Sequence, residues 1–302
     1  MVSKTALDKA MDKAEVLIEA LPYIQRFNRK IIVIKYGGSA MEDETLKKNV
    51  MEDVVLLKLV GFKPVIVHGG GKEISRWTEK MGRTPRFIDG LRVTDESTME
   101  LAEMVLGKVN KDLVTMIQSL GVKAAGVSGR DGHLLSAMKL KSENGDLGFV
   151  GKVKKVNPKI LYDLLEKDFL PVVYSVGMDN DFQGYNINAD DAACAIAREM
   201  KAEKLAFLSD VEGVLKDKDD PDSVIAELYE DEAEKLIDDG AIEGGMLPKI
   251  LNSISALKGG VSRVHIMDGR IPHSLLLEIF TDKGIGTAIL CSKELKYYNE
   301  QY

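Results

Sequence analysis

Apolar and polar positions along the 302-residue chain switch repeatedly between the helical and the strand period. Leu7, Met11, Ala14, Ile18 and Leu21 recur at spacings of four, three, four and three, which predicts a helix with one narrow apolar stripe. Pro22 then disturbs or ends that helix. A narrow stripe suits a helix packed on its own subunit and equally a two-helix seam with another copy, and the pattern leaves both readings open. From Ile31 onward, short apolar runs alternate with longer amphipathic segments. Strands are predicted at 31–36, 64–68, 122–127, 170–176, 204–209 and 263–267. Helices are predicted at 43–60, 72–81, 95–120, 158–168, 188–200, 230–239 and 246–258, and the Gly-rich stretch 129–151 reads as a β-hairpin. Strands alternating with helices imply an α/β fold, a three-layer α/β/α sandwich around a mainly parallel central sheet, here with an N-terminal helical extension. The polar, turn-rich stretch 179–184 divides the chain into segments 1–29, 30–180 and 181–302.

Composition narrows the class. At 45% hydrophobic and 29% charged, the chain reads as an ordinary soluble globular protein. Its net charge of −7 argues against a nucleic-acid binder, since phosphate backbones demand a basic surface. Cys194 and Cys291 lack metal-ligand spacing, and four scattered histidines make a zinc site a poor fit. No apolar run has the length of a bilayer span, and the first thirty residues, with charge of both signs, resemble neither a signal nor a transit peptide. The expected location is the cytoplasm.

Two of the predicted strands run into glycine turns that open helices: Ile34-Lys35-Tyr36-Gly37-Gly38-Ser39 and Val67-His68-Gly69-Gly70-Gly71-Lys72. Such turns present backbone N–H groups beside the positive end of a helix dipole and hold phosphate or carboxylate. Ligands in parallel sheets bind beyond the carboxyl ends of the strands, where both turns lie. Neither G-x-G-x-x-G nor G-x-x-x-x-G-K-[ST] occurs, which sets aside the usual dinucleotide and P-loop sites. Asn188 is suited to cap the helix it opens, and Asp190 and Asp191 suit its first turn.

Six motifs occur in order: Ile-Lys35-Tyr-Gly-Gly-Ser, Val-His-Gly69-Gly70-Gly, Gly-Leu-Arg92-Val-Thr-Asp, Tyr-Asn186-Ile-Asn188-Ala-Asp190, Ser209-Asp210-Val-Glu-Gly213-Val and Gly-Gly-Met246-Leu-Pro-Lys249. Together they resemble the amino-acid kinase family over nearly the whole chain from Lys30 to Leu290. The resemblance implies phosphoryl transfer from ATP, carried with Mg2+, to the side-chain carboxylate of N-acetyl-L-glutamate, the second step of arginine biosynthesis. A carboxylate is already a nucleophile, so the chemistry asks for positioning and charge stabilisation rather than a general base. By resemblance, Lys35 binds the transferring phosphoryl group, Lys249 the ATP phosphates, and Asp190 orients both lysines. Arg92 would clamp the acyl substrate, with Gly69, Gly70, Asn186 and Asn188. Gly37, Gly38, Ser209, Asp210, Gly213 and Met246 would join Lys35 and Lys249 around the nucleotide. No protein metal cage is implied. Segment 30–180 then becomes the acyl-substrate lobe with a dimer interface, and 181–302 the ATP lobe.

In the family, a helix before the first strand marks arginine-inhibited members, in which it swaps between neighbours and ties three dimers into a hexamer. Segment 1–29 fits that position. Tyr23, His273, Glu278, Gly284 and Gly286 resemble the L-arginine pocket of those members, with Glu278 on the head group and the 284–286 turn on the carboxylate. Some photosynthetic members also dock a trimeric nitrogen-status signal protein, on which these motifs are silent. The nearest rival readings are aspartate kinase and glutamate 5-kinase, whose usual appended domains are not expected here, and UMP and carbamate kinases, which the Gly-Leu-Arg-Val-Thr and Asn-Ile-Asn-Ala-Asp elements suit less well. A catalytically silent arginine sensor is set against the joint presence of Lys35, Asp190 and Lys249.

Overall fold

The structure, a computed structural model, describes residues 14–217, 223–281 and 284–291 together with Met11 and Asp220. Leu7 of the predicted stripe, positions 218–219 and 221–222, and the last eleven residues lie outside the described residues. Residues 14–19 are helical and, after a turn at Ala20, α1 (Leu21–Phe27) follows. Pro22 therefore opens a second helical segment instead of ending the first. In the first turn its missing N–H would have had no partner anyway.

The chain then runs β1 (Ile31–Tyr36), a 3-10 turn (Gly38–Met41), α2 (Glu44–Leu59), β2 (Lys63–His68), α3 (Gly71–Lys80), the hairpin β3 (Phe87–Ile88) and β4 (Leu91–Arg92), and the long α4 (Glu96–Ser119). Next come β5 (Ala124–Ser128), β6 (Leu135–Lys139), β7 (Val150–Val156), α5 (Lys159–Glu166), β8 (Leu170–Tyr174), β9 (Val176–Met178) and β10 (Gly184–Ile187). The remainder is α6 (Ala189–Glu199), β11 (Lys204–Ser209), β12 (Glu227–Tyr229), α7 (Glu230–Asp238), α8 (Met246–Lys258), β13 (Arg263–Asp268), α9 (Ser274–Ile279) and β14 (Thr287–Leu290).

Eight strands form one sheet in the order β12-β14-β13-β11-β1-β2-β8-β5, parallel except where β14 opposes β13. Strand alternation sorts the core into two faces. Val33, Val65, Phe207 and Ile266 pack with α6 and α8, whereas Ile32, Ile34, Ile66 and Leu208 pack with α2, α4 and α9. Each fully buried aliphatic side chain contributes about 1.5–3 kcal/mol. Strands β6, β7, β9 and β10 close into a small barrel beside the sheet. The predicted strand 170–176 is thus two strands, broken at Ser175, and its second half belongs to the barrel. β10, which follows the polar break, pairs with β7 and β9. No helix among the described residues is long and apolar enough to cross a membrane.

Candidate active site

Successive strands β2 and β8 lie on one side of β1, and β11 and β13 lie on the other. The direction of winding therefore reverses between β1 and β11, and such a reversal opens a crevice beyond the strand ends. Lys35 is the penultimate residue of β1, on the same face as Val33 and so on the side covered by α6. At the first turn of α6, Asp190 places Oδ1 2.9 Å from Lys35 Nζ and Oδ2 2.6 Å from Lys249 Nζ. All three side chains are largely buried. Burial alone would push the Asp190 carboxyl up, but the Lys35 and Lys249 ammonium groups outweigh it and hold the carboxyl below the usual carboxylate range.

Local sequence fixes this cluster. The Asn188 side chain accepts from the N–H groups of Asp190 (2.8 Å) and Asp191 (3.4 Å), which sets the α6 N-terminus. Asp191 accepts in turn from Asn252 Nδ2 at 2.8 Å, and so locks α6 to α8, the helix that carries Lys249. Burial pushes the Asp191 carboxyl up, with Asp190 adding to the rise and the Asn252 hydrogen bond opposing it. Met246 opens α8, one turn before Lys249.

The glycine turns meet at the same place. Asp210, just past β11, accepts from the Ser39 N–H (2.6 Å) and from Ser39 Oγ (3.0 Å), and this ties the turn after β1 to the turn after β11. Gly38 has φ +77°, and an added Cβ would come within 2.4 Å of Asp210 Oδ1, so only glycine fits. Lys72 Nζ donates to Ser39 Oγ at 2.7 Å and pairs with Glu42 at 2.8 Å, which bridges the two turns. At Gly69 an added Cβ would sit 3.3 Å from Ala189 Cβ, which brings the second turn against the first residue of α6. Ser209 is buried at the end of β11. Gly213 faces Thr287 and Val224 closely enough that its lack of a Cβ has a packing cause. A cavity of about 340 Å³ opens beside Gly38, Gly70 and Gly71.

Arg92 ends β4 and reaches back to the second turn. Its Nη2 donates to Gly71 O (2.6 Å) and Ser75 Oγ (2.7 Å), and its guanidinium lies 4.8 Å from the centre of the Phe87 ring. Nη1 is buried without a partner among the described residues. A buried, unpaired guanidinium N–H is a vacant donor that suits an anionic ligand. Asn186 joins this group through Thr94, whose Oγ1 donates to Arg92 O at 2.8 Å and accepts from Asn186 Nδ2 at 3.4 Å.

The remaining predicted residues gather elsewhere. The Tyr23 ring meets Phe280 edge-on, with centroids 6.3 Å apart. Glu278 is buried, accepting from His265 Nδ1 (2.6 Å) and from the N–H groups of Ile285 (2.8 Å) and Gly286 (3.1 Å). Burial pushes its carboxyl up, but these donors, His265 first, outweigh that and hold it below the usual range. Gly284 has φ +63° and packs against the same carboxylate. His273 faces away, its Nδ1 2.6 Å from Asp53 Oδ1.

Sequence reasoning missed Lys204, whose Nζ donates to His265 Nε2 at 3.0 Å, and missed His265 itself. Burial brings Lys204 down to about 7 and His265 to about 4. Both sit inside apolar strands, where the only signal was a charge at a position that should be buried. Lys72 and Ser39 were also missed, although both stand inside the quoted turn motifs.

A sequence profile of the amino acid kinase family matches residues 30–268. The chain is 58% identical over 283 residues to the acetylglutamate kinase of Campylobacter jejuni subsp. doylei, an alignment covering 94% of this chain and all of that relative. Among solved structures, the N-acetylglutamate synthase of Neisseria gonorrhoeae, complexed with coenzyme A and N-acetyl-glutamate, is similar at TM-score 0.81 and 28% identity. That match covers 92% of this chain and 63% of the synthase, so the chain spans less than two thirds of that protein. The carbamate kinase of Giardia lamblia bound to AMP-PNP shares the fold, with a TM-score of 0.64 at 14% identity, over 87% of this chain and 99% of that one.

Proposed function

The chain belongs to the amino acid kinase family and has the acetylglutamate kinase activity, ATP-dependent phosphorylation of N-acetyl-L-glutamate for arginine biosynthesis, and we propose that the Lys35–Asp190–Lys249 cluster is its transfer centre. The observation that carries this reading is one carboxylate shared by two ammonium groups at the winding reversal. An oxygen of the substrate's side-chain carboxylate attacks the γ-phosphorus of ATP, the bond to the β–γ bridging oxygen breaks, and an acyl phosphate and ADP leave. The obstacle is repulsion between anions, and fixed cations and N–H dipoles lower it. Lys35 sits on the transferring group, Lys249 on the departing charge, and Asp190 holds both in register. Gly37, Gly38, Ser209, Asp210, Gly213 and Met246 line the nucleotide side, which receives ATP with its Mg2+. Gly69, Gly70, Arg92, Asn186 and Asn188 line the acyl side, with the vacant Arg92 Nη1 on a carboxylate of the substrate. Segments 30–180 and 181–302 serve as the two lobes that carry these sides.

L-Arginine acts as feedback effector at the Glu278 cluster. Support comes from a buried carboxylate beside the two glycines of the 284–286 turn, with Tyr23 of the N-terminal segment packed on the tail. Glu278 Oε1 accepts from His265 alone, so the carboxylate keeps acceptor capacity for a guanidinium beside its three present donors. The protein works in the cytoplasm as dimers joined into a hexamer by segment 1–29. An ATP-consumption assay with N-acetyl-L-glutamate, glutamate, aspartate and UMP as separate acceptors tests the activity. Turnover with the acetylated substrate alone is expected, and equal or faster turnover with another acceptor overturns it.

A further inference from the structure

His68 closes β2 one residue before the Gly69–Gly70 turn, is fully buried, and takes no part in the charge cluster. Its surroundings fix where its proton lies. Val172 O can only accept, so Asn110 must turn its amide nitrogen toward it, at 2.8 Å. The second N–H of that nitrogen lies 3.1 Å from His68 Nε2, which must then offer a lone pair. The ring proton therefore sits on Nδ1, 2.8 Å from Gly69 O. Burial brings His68 down to about 4, so the ring stays neutral at physiological pH.

The Gly69 carbonyl and the Gly70 N–H belong to one peptide, and no peptide bond among the described residues is cis. Holding the carbonyl toward His68 aims the N–H the opposite way. No protein acceptor takes that N–H among the described residues. The arrangement carries a visible penalty. Asn110 Oδ1 is buried without a partner, and an added Cβ on Gly126 would come within 1.8 Å of it. A buried orphan oxygen destabilises a fold, and at that cost both N–H groups of the same amide are placed, on Val172 O and His68 Nε2.

We propose that Asn110 and His68 are positioning residues, which pin the Gly69–Gly70 peptide so that the Gly70 N–H points at the phosphoryl group in transfer. The inference rests on the kinase reading for the identity of that anion, and not for the geometry. His68→Leu removes the donor, whereas His68→Asn keeps one where Nδ1 stood. The leucine variant should lose about 10–100-fold in kcat with the KM for ATP changed less than about twofold, and the asparagine variant should recover most of the loss. Equal losses in both variants, or a higher KM at unchanged kcat, overturn the proposal.

Imidazole 15N resonances of the wild-type protein give a readout independent of activity, with the His68 signals identified as those absent from His68→Asn. They should report a neutral ring protonated on Nδ1, unchanged from about pH 5.5 to 8. A proton on Nε2, or titration inside that range, overturns the proposal whatever the substrate. A wild-type protein inactive on N-acetyl-L-glutamate that still shows the Nδ1–H ring would sink the kinase reading and leave the peptide anchor standing.

Discussion

At the scale of single residues, the proposed transfer centre is one carboxylate serving two lysines. Lys35→Ala and Lys249→Ala each remove a cation from the path of charge transfer and should lower kcat by about 100-fold or more, read from steady-state kinetics at saturating substrates. Asp190→Asn is a different lesion, since it leaves two buried ammonium groups without their counter-ion. Removing one partner from a buried ion cluster costs about 3–5 kcal/mol. The folded Asp190 carboxyl is held low, so its contribution is present above the unfolded carboxylate value near 3.9 and fades as pH falls through the folded value. Thermal melts should therefore separate Asp190→Asn from wild type at pH 7, with the gap closing only in acid. A constant gap across pH would mean that the charge is not what stabilises. Arg92→Ala should mainly raise the KM for N-acetyl-L-glutamate, by about 10–100-fold, as loss of a charge-assisted hydrogen bond does. A matching fall in kcat would place Arg92 at the reacting atoms instead.

At the scale of elements, the central strands were legible because their apolar runs are long and, at 31–36 and 64–68, end in glycine turns. Those turns also exposed the site, since Gly38 and Gly69 are held by close approaches that other residues would spoil. Illegible were β3, β4, β9 and β10, with two to four residues each, because neither period can establish itself over so few positions. The barrel that β9 and β10 help to build depends on pairing between distant segments, such as Asn186 with Val150. The His265 partner of Glu278 was equally hidden, because His265, and Lys204 behind it, lie inside apolar strands and come together only in three dimensions.

The contact between α2 and the turn before α9 is another such case. Asp53 is buried, faces His273 at 2.6 Å, and leaves Oδ2 without a partner among the described residues. Burial pushes it up to about 6, against the pull of His273. A carboxyl raised on folding stabilises below its unfolded value and loses that contribution as pH rises through the folded one. Asp53→Asn should thus gain on wild type between about pH 4 and 6, by about 1–3 kcal/mol at neutral pH, in denaturant titrations run at several pH values. A difference independent of pH would show that folding leaves the Asp53 carboxyl titrating as it does in the unfolded chain.

At the scale of the whole molecule, the open question is what the N-terminal segment does. The sequence allowed its stripe to face either its own subunit or another copy. In the folded chain Met11, Ile18 and Leu21 are exposed, as are Val16 and Leu17, at 63% and 70%. A contiguous exposed apolar face of this kind calls for a partner surface, and a second copy of the same helix supplies a matching stripe. The other end of the segment is anchored. Tyr23 packs on Phe280, Phe280 on Phe62, and Phe62 on Phe27, an aromatic chain that runs from α1 to the residue after α9. Whatever moves the helix is therefore felt two residues from Glu278, so that in the proposed hexamer an effector at Glu278 would bias how neighbouring subunits sit. Deleting residues 1–26 removes the stripe and Tyr23 but spares Phe27 and its contact with Phe62. The truncated protein should fold, keep kcat within about twofold, and run as a dimer in light scattering, with the arginine needed for half-inhibition raised about tenfold or more. Arginine sensitivity that survives truncation would detach regulation from the helix. A hexamer that survives would place the contact between dimers on another face of the fold.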